Sequence, residues 1–158
     1  MKQTKKYFPI FIDLSDKKVV VVGAGKIGSR RIRTLADFTD HLTVIAEDAE
    51  PDIQKMAEEG LIEWKKQSYE RDLILDADMV LACTNDPELN SGIYSVCKCL
   101  GIQVNVCSDK NKCDFYFPGV IHDDNVVVGV TASGTDHHQA KVVREKLEKA
   151  LKEVDIHE

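Results

Sequence analysis

No apolar run in this 158-residue chain approaches the roughly 18 residues that a membrane-spanning helix needs, so no membrane is expected among its partners. An excess of basic residues is missing too. Lys and Arg number 21 against 27 Asp and Glu, a formal net charge of −6, which argues against a general nucleic-acid binder. No CxxC pair occurs among the five cysteines, Cys83, Cys97, Cys99, Cys107 and Cys113. Their odd number, with no signal-peptide pattern ahead of them, leads to an expectation of reduced thiols in a cytoplasmic protein. Cys97 and Cys99 would point about 200° apart on a helix, so they read as small core residues rather than a metal or redox pair. Internal repeats, low-complexity tracts and flexible linkers are also absent. A hydrophobic content of 43% then suffices for one α/β domain with a small appendage.

What is present begins at Val19-Val20-Val21-Val22, which runs straight into Gly23-Ala24-Gly25-Lys26-Ile27-Gly28. Four β-branched residues, a G-x-G-x-x-G turn and an immediate helical pattern are the parts that a dinucleotide pyrophosphate requires. Gly23 permits the turn, Gly25 lets backbone approach phosphate, and Gly28 lets the helix pack on the strand. The helix amides and dipole favour the negative charge. The helix is expected over residues 26–36, with Ile27, Ile32 and Leu35 toward the sheet. A second strand follows at 42–46. The acidic position that commonly holds the ribose hydroxyls falls at Ala46 or Glu47, and Glu47-Asp48 with no arginine nearby favours NAD over NADP.

Further along, an apolar segment at 7–14 reads as an edge strand or an arm. A helix is expected at 49–59, closed by Gly60, and short strands at 61–65, 79–83 and 104–107. Between the last two lies a helix over 88–100, ending at Gly101. The βαβα alternation predicts a Rossmann-like, doubly wound parallel sheet over residues 1–112. Residues 113–158 change pattern: two β-rich runs at 115–121 and 125–131, then a helix from His137 to about Val154. This predicts a β-hairpin plus a helix whose Val142, Val143, Leu147 and Leu151 form an apolar stripe. The hairpin's exposed edges predict a homodimer. Thr84-Asn85 ends the fourth strand, and Ser108-Asp109-Lys110 follows the fifth, both at the carboxyl edge where such sheets bind ligands. Asp109 reads either as a general base or substrate orienter, or as a solvated Asx-turn carboxylate. The adjacent His137 and His138 point about 100° apart on a helix, which disfavours a shared metal ion, so no metal site is assigned.

With these pieces in order, the chain resembles the precorrin-2 dehydrogenases, the N-terminal module of siroheme synthase and its stand-alone relatives. The resemblance spans nearly the whole chain. It rests on Phe8-Pro9-Ile10-Phe11; on Val22-Gly23-Ala24-Gly25-Lys26-Ile27-Gly28 with Arg30-Arg31; and on Ala82-Cys83-Thr84-Asn85-Asp86 with Asn90. Asn105-Val106, the segment from Cys113 to Pro118, Val128-Gly129-Val130-Thr131 and Ser133-Gly134-Thr135 continue it. Ala140 with Arg144-Glu145-Lys146-Leu147-Glu148 completes it.

The resemblance implies NAD-dependent oxidation of the tetrapyrrole precorrin-2 to sirohydrochlorin, with iron insertion as an added property of some members, on a Rossmann domain followed by a dimerisation segment. It also implies a functional aspartate just after the Asn-Val strand end. That position is Ser108 here, with Asp109 its neighbour, so the two share the catalytic assignment. The family's helical domain after the Arg-Glu-Lys helix is expected to be absent. A polycarboxylate substrate needs local cations and helix amides, which points to Lys110, Ser133, Gly134, Thr135, His137 and His138. A non-catalytic NAD or tetrapyrrole sensor or carrier on the same fold is the competing expectation.

Overall fold

A computed structural model describes residues 7–133 and 136–154, with the side chain of His137 outside that set. The chain divides into two compact units: Ile12–Phe115, and a second made of residues 7–11 and 116–154. Among the described residues no helix is long and apolar enough to cross a membrane.

The first unit runs β1 (Val19–Ala24), α1 (Lys26–Leu35), β2 (Leu42–Ala49), α2 (Pro51–Glu58), β3 (Glu63–Lys65), a 3₁₀ turn (Arg71–Ile74), β4 (Met79–Ala82), α3 (Pro87–Leu100) and β5 (Gln103–Val106). The five strands are parallel, in the order β3-β2-β1-β4-β5. After β3 the chain returns to the middle and continues on the far side of β1. The β1/β4 boundary is therefore the topological switch point, where two loops part and leave a crevice.

The four valines of β1 are at most 2% exposed, because helices cover both faces of a parallel sheet. Val21 sits between Val44 and Leu81 in register. Ile32 and Leu35 of α1 are buried as expected, but Ile27 is 49% exposed. Ile27 lies in the first turn of α1, whose buried residues begin at Gly28. At the amino end Asp78 accepts a hydrogen bond from the Lys18 amide at 2.9 Å and fixes the start of β1 beside β4. Asp86 caps α3 by accepting from the amides of Glu88 and Leu89, and Gly101 closes it with φ 72°.

Residues 112–114 fold back along the outer edge of β5. The Val106 amide donates to the Lys112 carbonyl at 3.3 Å and the Asp114 amide to the Val104 carbonyl at 2.8 Å. The Asp114 carboxylate takes the Val104 amide at 3.0 Å and pairs with Lys98 at 2.7 Å.

In the second unit β6 (Gly119–Asp123) and β7 (Val126–Val130) form an antiparallel hairpin, followed by α4 (His137–Glu153). The first of these strands starts later than the expected 115–121, since Pro118 has no amide to give a ladder. Asp124 makes the turn with φ 47°, a conformation that Asp tolerates. Arg144 of α4 packs over Gly119 of β6, where a Cβ would lie 2.9 Å from its Cδ. The polar face of α4 carries i,i+4 ion pairs, Lys141–Glu145 and Arg144–Glu148 among them, as expected of a solvated surface. Residues 7–14 form no strand. Residues 7–13 are exposed, and the Tyr7 ring lies 4.0 Å from that of Tyr116.

Two expectations about cysteine are corrected. Cys97 is buried, and burial pushes its thiol up to about 11, but Cys99 is exposed on the opposite side of α3. Cys83 and Cys107 are joined in a disulfide. Ala82 pairs with Val106 in the β4–β5 ladder, so the next residue of each strand is brought alongside the other, with Cα atoms 5.3 Å apart.

Candidate functional site

The crevice at the switch point has a volume of about 340 Å³. The glycine turn after β1 forms its floor through Gly23, Ala24 and Gly25. Glu47 and Asp48 line it from the end of β2, and Thr84 and Asn85 from the loop after β4. Gln67, Ser68 and Tyr69, which follow β3, and Leu89 add to the wall, over Val22, Ile45, Ala46 and Cys83 at the strand ends.

The three motif glycines stand in different surroundings. A Cβ on Gly23 would lie 2.7 Å from the Cys83 carbonyl oxygen, and its φ of 96° already excludes most side chains. A Cβ on Gly28 would lie 2.0 Å from the Gly23 carbonyl oxygen, so Gly28 sets how closely α1 meets β1. A Cβ on Gly25 would meet no protein atom within 4 Å. Packing demands glycine at positions 23 and 28 and leaves open space at position 25. Gly25 is also the N-cap of α1, with no side-chain capping bond and no acidic residue in the first turn. The amides that follow it face a position where an anion is favoured. The turn fits a diphosphate.

Lys26 and Ile27 sit exposed in the first turn of α1 and do not line the crevice; Gly28 is buried behind it. Glu47 and Asp48 are both exposed, and Glu47 accepts a hydrogen bond from Ser68. The strand runs on past the expected end at residue 46 and carries both carboxylates to the crevice mouth.

Thr84 is held by Asn90, whose side chain is fully buried in the first turns of α3. Its Oδ1 accepts from the Thr84 amide at 3.2 Å and from Oγ1 at 2.7 Å; its Nδ2 donates to the Thr84 carbonyl at 3.0 Å and to Ser108 Oγ at 3.3 Å. Ser108 is exposed at the surface end of this network. Asp109 lies elsewhere in the loop. Its Oδ1 accepts from the Asn111 amide at 3.0 Å in an Asx turn, with Lys112 Nζ 4.0 Å from its other oxygen. Lys112 also donates to Ser91 at 2.7 Å. Lys110 is exposed on the same loop.

Behind the loop, Arg31 donates to Asn105, and Asn105 donates to the Phe115 carbonyl at 2.8 Å. Burial lowers the Arg31 guanidinium to about 10, though it remains charged near neutrality. Arg31 thus packs inside this unit and braces β5.

Ser133 and His138 belong to the second unit. Ser133 has φ 54° and its amide donates to Thr131 Oγ1 at 3.1 Å; His138 is exposed in the first turn of α4. Gly134, Thr135 and the His137 side chain lie outside the described residues.

Comparison with known proteins agrees with this geometry. Residues 10–119 match the family model NAD_binding_7, described as "Putative NAD(P)-binding". The chain is 38% identical over 143 residues to a protein of Ruminiclostridium josui named "Probable multifunctional siroheme biosynthesis protein HemA", covering 90% of this chain and 28% of that one. It is 32% identical over 145 residues to siroheme synthase 1 of Serratia proteamaculans (strain 568), covering 92% of this chain and 30% of that one. The chain thus spans less than a third of the length of these curated relatives. Among solved structures, SirC, a precorrin-2 dehydrogenase, superposes with a TM-score of 0.71 at 22% identity, over 91% of this chain and 71% of its own; this likeness is one of fold. The family match covers more than half of the chain, and the chain belongs to this NAD(P)-binding family.

Proposed function

We propose that this protein is an NAD-dependent dehydrogenase that oxidises precorrin-2 to sirohydrochlorin in the cytoplasm. The observation that carries the reading is the open space at Gly25, above a helix start with no cap of its own, at the switch point of the sheet. The order of motifs along the chain and the names of the siroheme-pathway relatives support the substrate. When bound, the nicotinamide supplies the hydride acceptor. The glycine turn would hold the diphosphate, Glu47 or Asp48 the ribose hydroxyls, and the Thr84-Asn85 loop the nicotinamide end. Of the two residues that share the catalytic assignment, the Asp109 carboxylate is engaged in its own turn and Ser108 stands exposed at the end of the Asn90 network. Lys110, Ser133, Gly134, Thr135, His137 and His138 remain the proposed contacts for the carboxylates of the tetrapyrrole.

The test is NADH formation from purified protein, NAD and precorrin-2. One NADH per tetrapyrrole is expected. NAD binding with no NADH formed would replace the enzyme by the sensor or carrier reading. NADP is expected to bind at least about tenfold more weakly, since its 2′-phosphate would meet two carboxylates. Glu47→Ser with Asp48→Arg is expected to reverse that preference; equal affinities for both nucleotides in the unaltered protein would refute the assignment.

The second unit is proposed as a dimerisation segment. Phe8, Ile10 and Phe11 are 85%, 73% and 74% exposed, and Val143 and Leu147 on α4 are each 41% exposed. Apolar area on that scale calls for a partner surface. Light scattering is expected to give twice the 17.7 kDa chain mass, and Phe8→Asp with Phe11→Asp to halve it. A monomeric mass at micromolar concentration would overturn the segment's role.

A further inference from the structure

The fully buried Asn90 does more than fill space. A backbone amide can only donate and a backbone carbonyl can only accept. The Thr84 amide therefore fixes Oδ1 on one side of the carboxamide, and the Thr84 carbonyl fixes Nδ2 on the other. With that orientation settled, the group facing Ser108 Oγ at 3.3 Å is a donor. Ser108 Oγ accepts from it, so the hydroxyl proton points away from Asn90. Among the described residues no protein acceptor takes that proton, and Ser108 is exposed. The same carboxamide holds Thr84, a wall of the nucleotide crevice.

We infer that Asn90 is a positioning residue that locks the crevice wall at Thr84 and turns the Ser108 hydroxyl into an outward donor for a carboxylate of the substrate. This rests on the proposed tetrapyrrole-dehydrogenase reading. It assigns Ser108 a binding role in place of proton abstraction: a hydroxyl held as acceptor on its inner side offers its proton to an anion. Lys112, which reaches Ser91 on α3 and lies near Asp109, keeps the rest of the loop in place without competing for Ser108.

Two substitutions test the polarity. Ser108→Ala removes the donor. Asn90→Asp keeps the acceptor for the Thr84 amide but removes both Nδ2 donations, to the Thr84 carbonyl and to Ser108; the carboxylate oxygen there takes the Ser108 proton and reverses the hydroxyl. Ser108→Ala is expected to raise KM for precorrin-2 about tenfold, the usual effect of one hydrogen bond to a charged group, with kcat within about twofold; Asn90→Asp is expected to raise KM at least as much and, through the lost bond to the Thr84 carbonyl, to weaken NAD binding as well. In the Asn90→Asp background Ser108→Ala should add no further loss, because the donor is already gone. Ser108→Thr should restore the unaltered KM within about twofold. NAD affinity by calorimetry should be unchanged in Ser108→Ala.

Full loss from Ser108→Ala in both backgrounds, or no loss in either, overturns the inference. Should Asn90→Asp fail to fold, the contrast of Ser108→Ala with Ser108→Thr decides it. Dissociation constants for sirohydrochlorin, read by absorbance titration of the same variants, separate this inference from the reading beneath it. The same non-additive pattern in binding, with no NADH formed by the unaltered protein, removes the enzyme and leaves the clamp. NADH formation with additive losses removes the clamp and leaves the enzyme.

Discussion

Gly28→Ala is expected to destabilise the nucleotide-binding unit by about 3 kcal/mol or more, a fall in melting temperature of roughly 6–12 °C for a chain of this size. The added methyl would stand 2.0 Å from the Gly23 carbonyl oxygen, 3.0 Å from its carbon and 3.4 Å from the Cys83 Cβ. The nearest of these atoms are backbone and cannot rotate away. Relief would require α1 to lift off β1. Ile32, fully buried, and Leu35, at 4% exposure, hold the helix down, and Ser29 Oγ ties it to the Ala24 carbonyl at 2.9 Å. Gly25→Ala is the matched control: its methyl meets no protein, so stability should hold while NAD affinity falls. Urea midpoints and calorimetric titration of both variants check the pair. A Gly28→Ala midpoint matching the unaltered protein would show that α1 is not seated as closely as described.

Opening the Cys83–Cys107 link should cost nearly as much. The two residues are 24 apart in sequence, and closing a loop of that length restricts the unfolded chain by about 3 kcal/mol in the loop-entropy account. The oxidised protein should show three reactive thiols after denaturation, Cys97, Cys99 and Cys113, and five after reduction. Its urea midpoint should fall on reduction, and Cys83→Ser with Cys107→Ser should match the reduced protein. Five thiols without reductant would mean that the pair stays open under those conditions. In a reducing compartment the pair would be open. The cysteines directly precede Thr84 and Ser108, so any loosening falls first on the two loops that Asn90 joins.

The glycine turn was legible in the residue order because a run of valines, three glycines at fixed spacing and a helical pattern each constrain the backbone locally. α3 was legible for a similar reason: Asp86-Pro87 and Gly101 mark its two ends by local chemistry. The third strand, expected over 61–65, shrinks to Glu63–Lys65, since pairing with β2 and not propensity decides which residues join the ladder. β2 runs on to Ala49, which pairs with Ala24, and Glu47 and Asp48 lie in the irregularity between that pair and Val22–Ile45. The wall formed by Gln67 and Ser68 carries no periodicity; only its place at the carboxyl end of a strand could have signalled it. Asn90 enters the sequence reading only as one residue of the family resemblance, and its role emerges only when β4 and β5 bring Thr84 and Ser108 to either side. The disulfide depends on the same register, which cysteine counting cannot supply. The bracing role of Arg31 has no local signal, because nothing near it in sequence indicates that Asn105, 74 residues away, sits within reach.

The fold-back of residues 112–114 also governs what the sheet can join. An open lateral strand is a template on which a foreign peptide or a misfolded neighbour can add itself, a common route to aggregates. On the β5 side the amides of Val104 and Val106 are already taken from within the chain, one by a carboxylate that Lys98 neutralises. The opposite border is β3, three residues long and bearing Glu63 and Lys65, too short and too charged to recruit a strand. The parallel sheet is thus closed to growth at both borders. Concentrated protein should resist fibre formation for as long as the 112–114 segment stays docked.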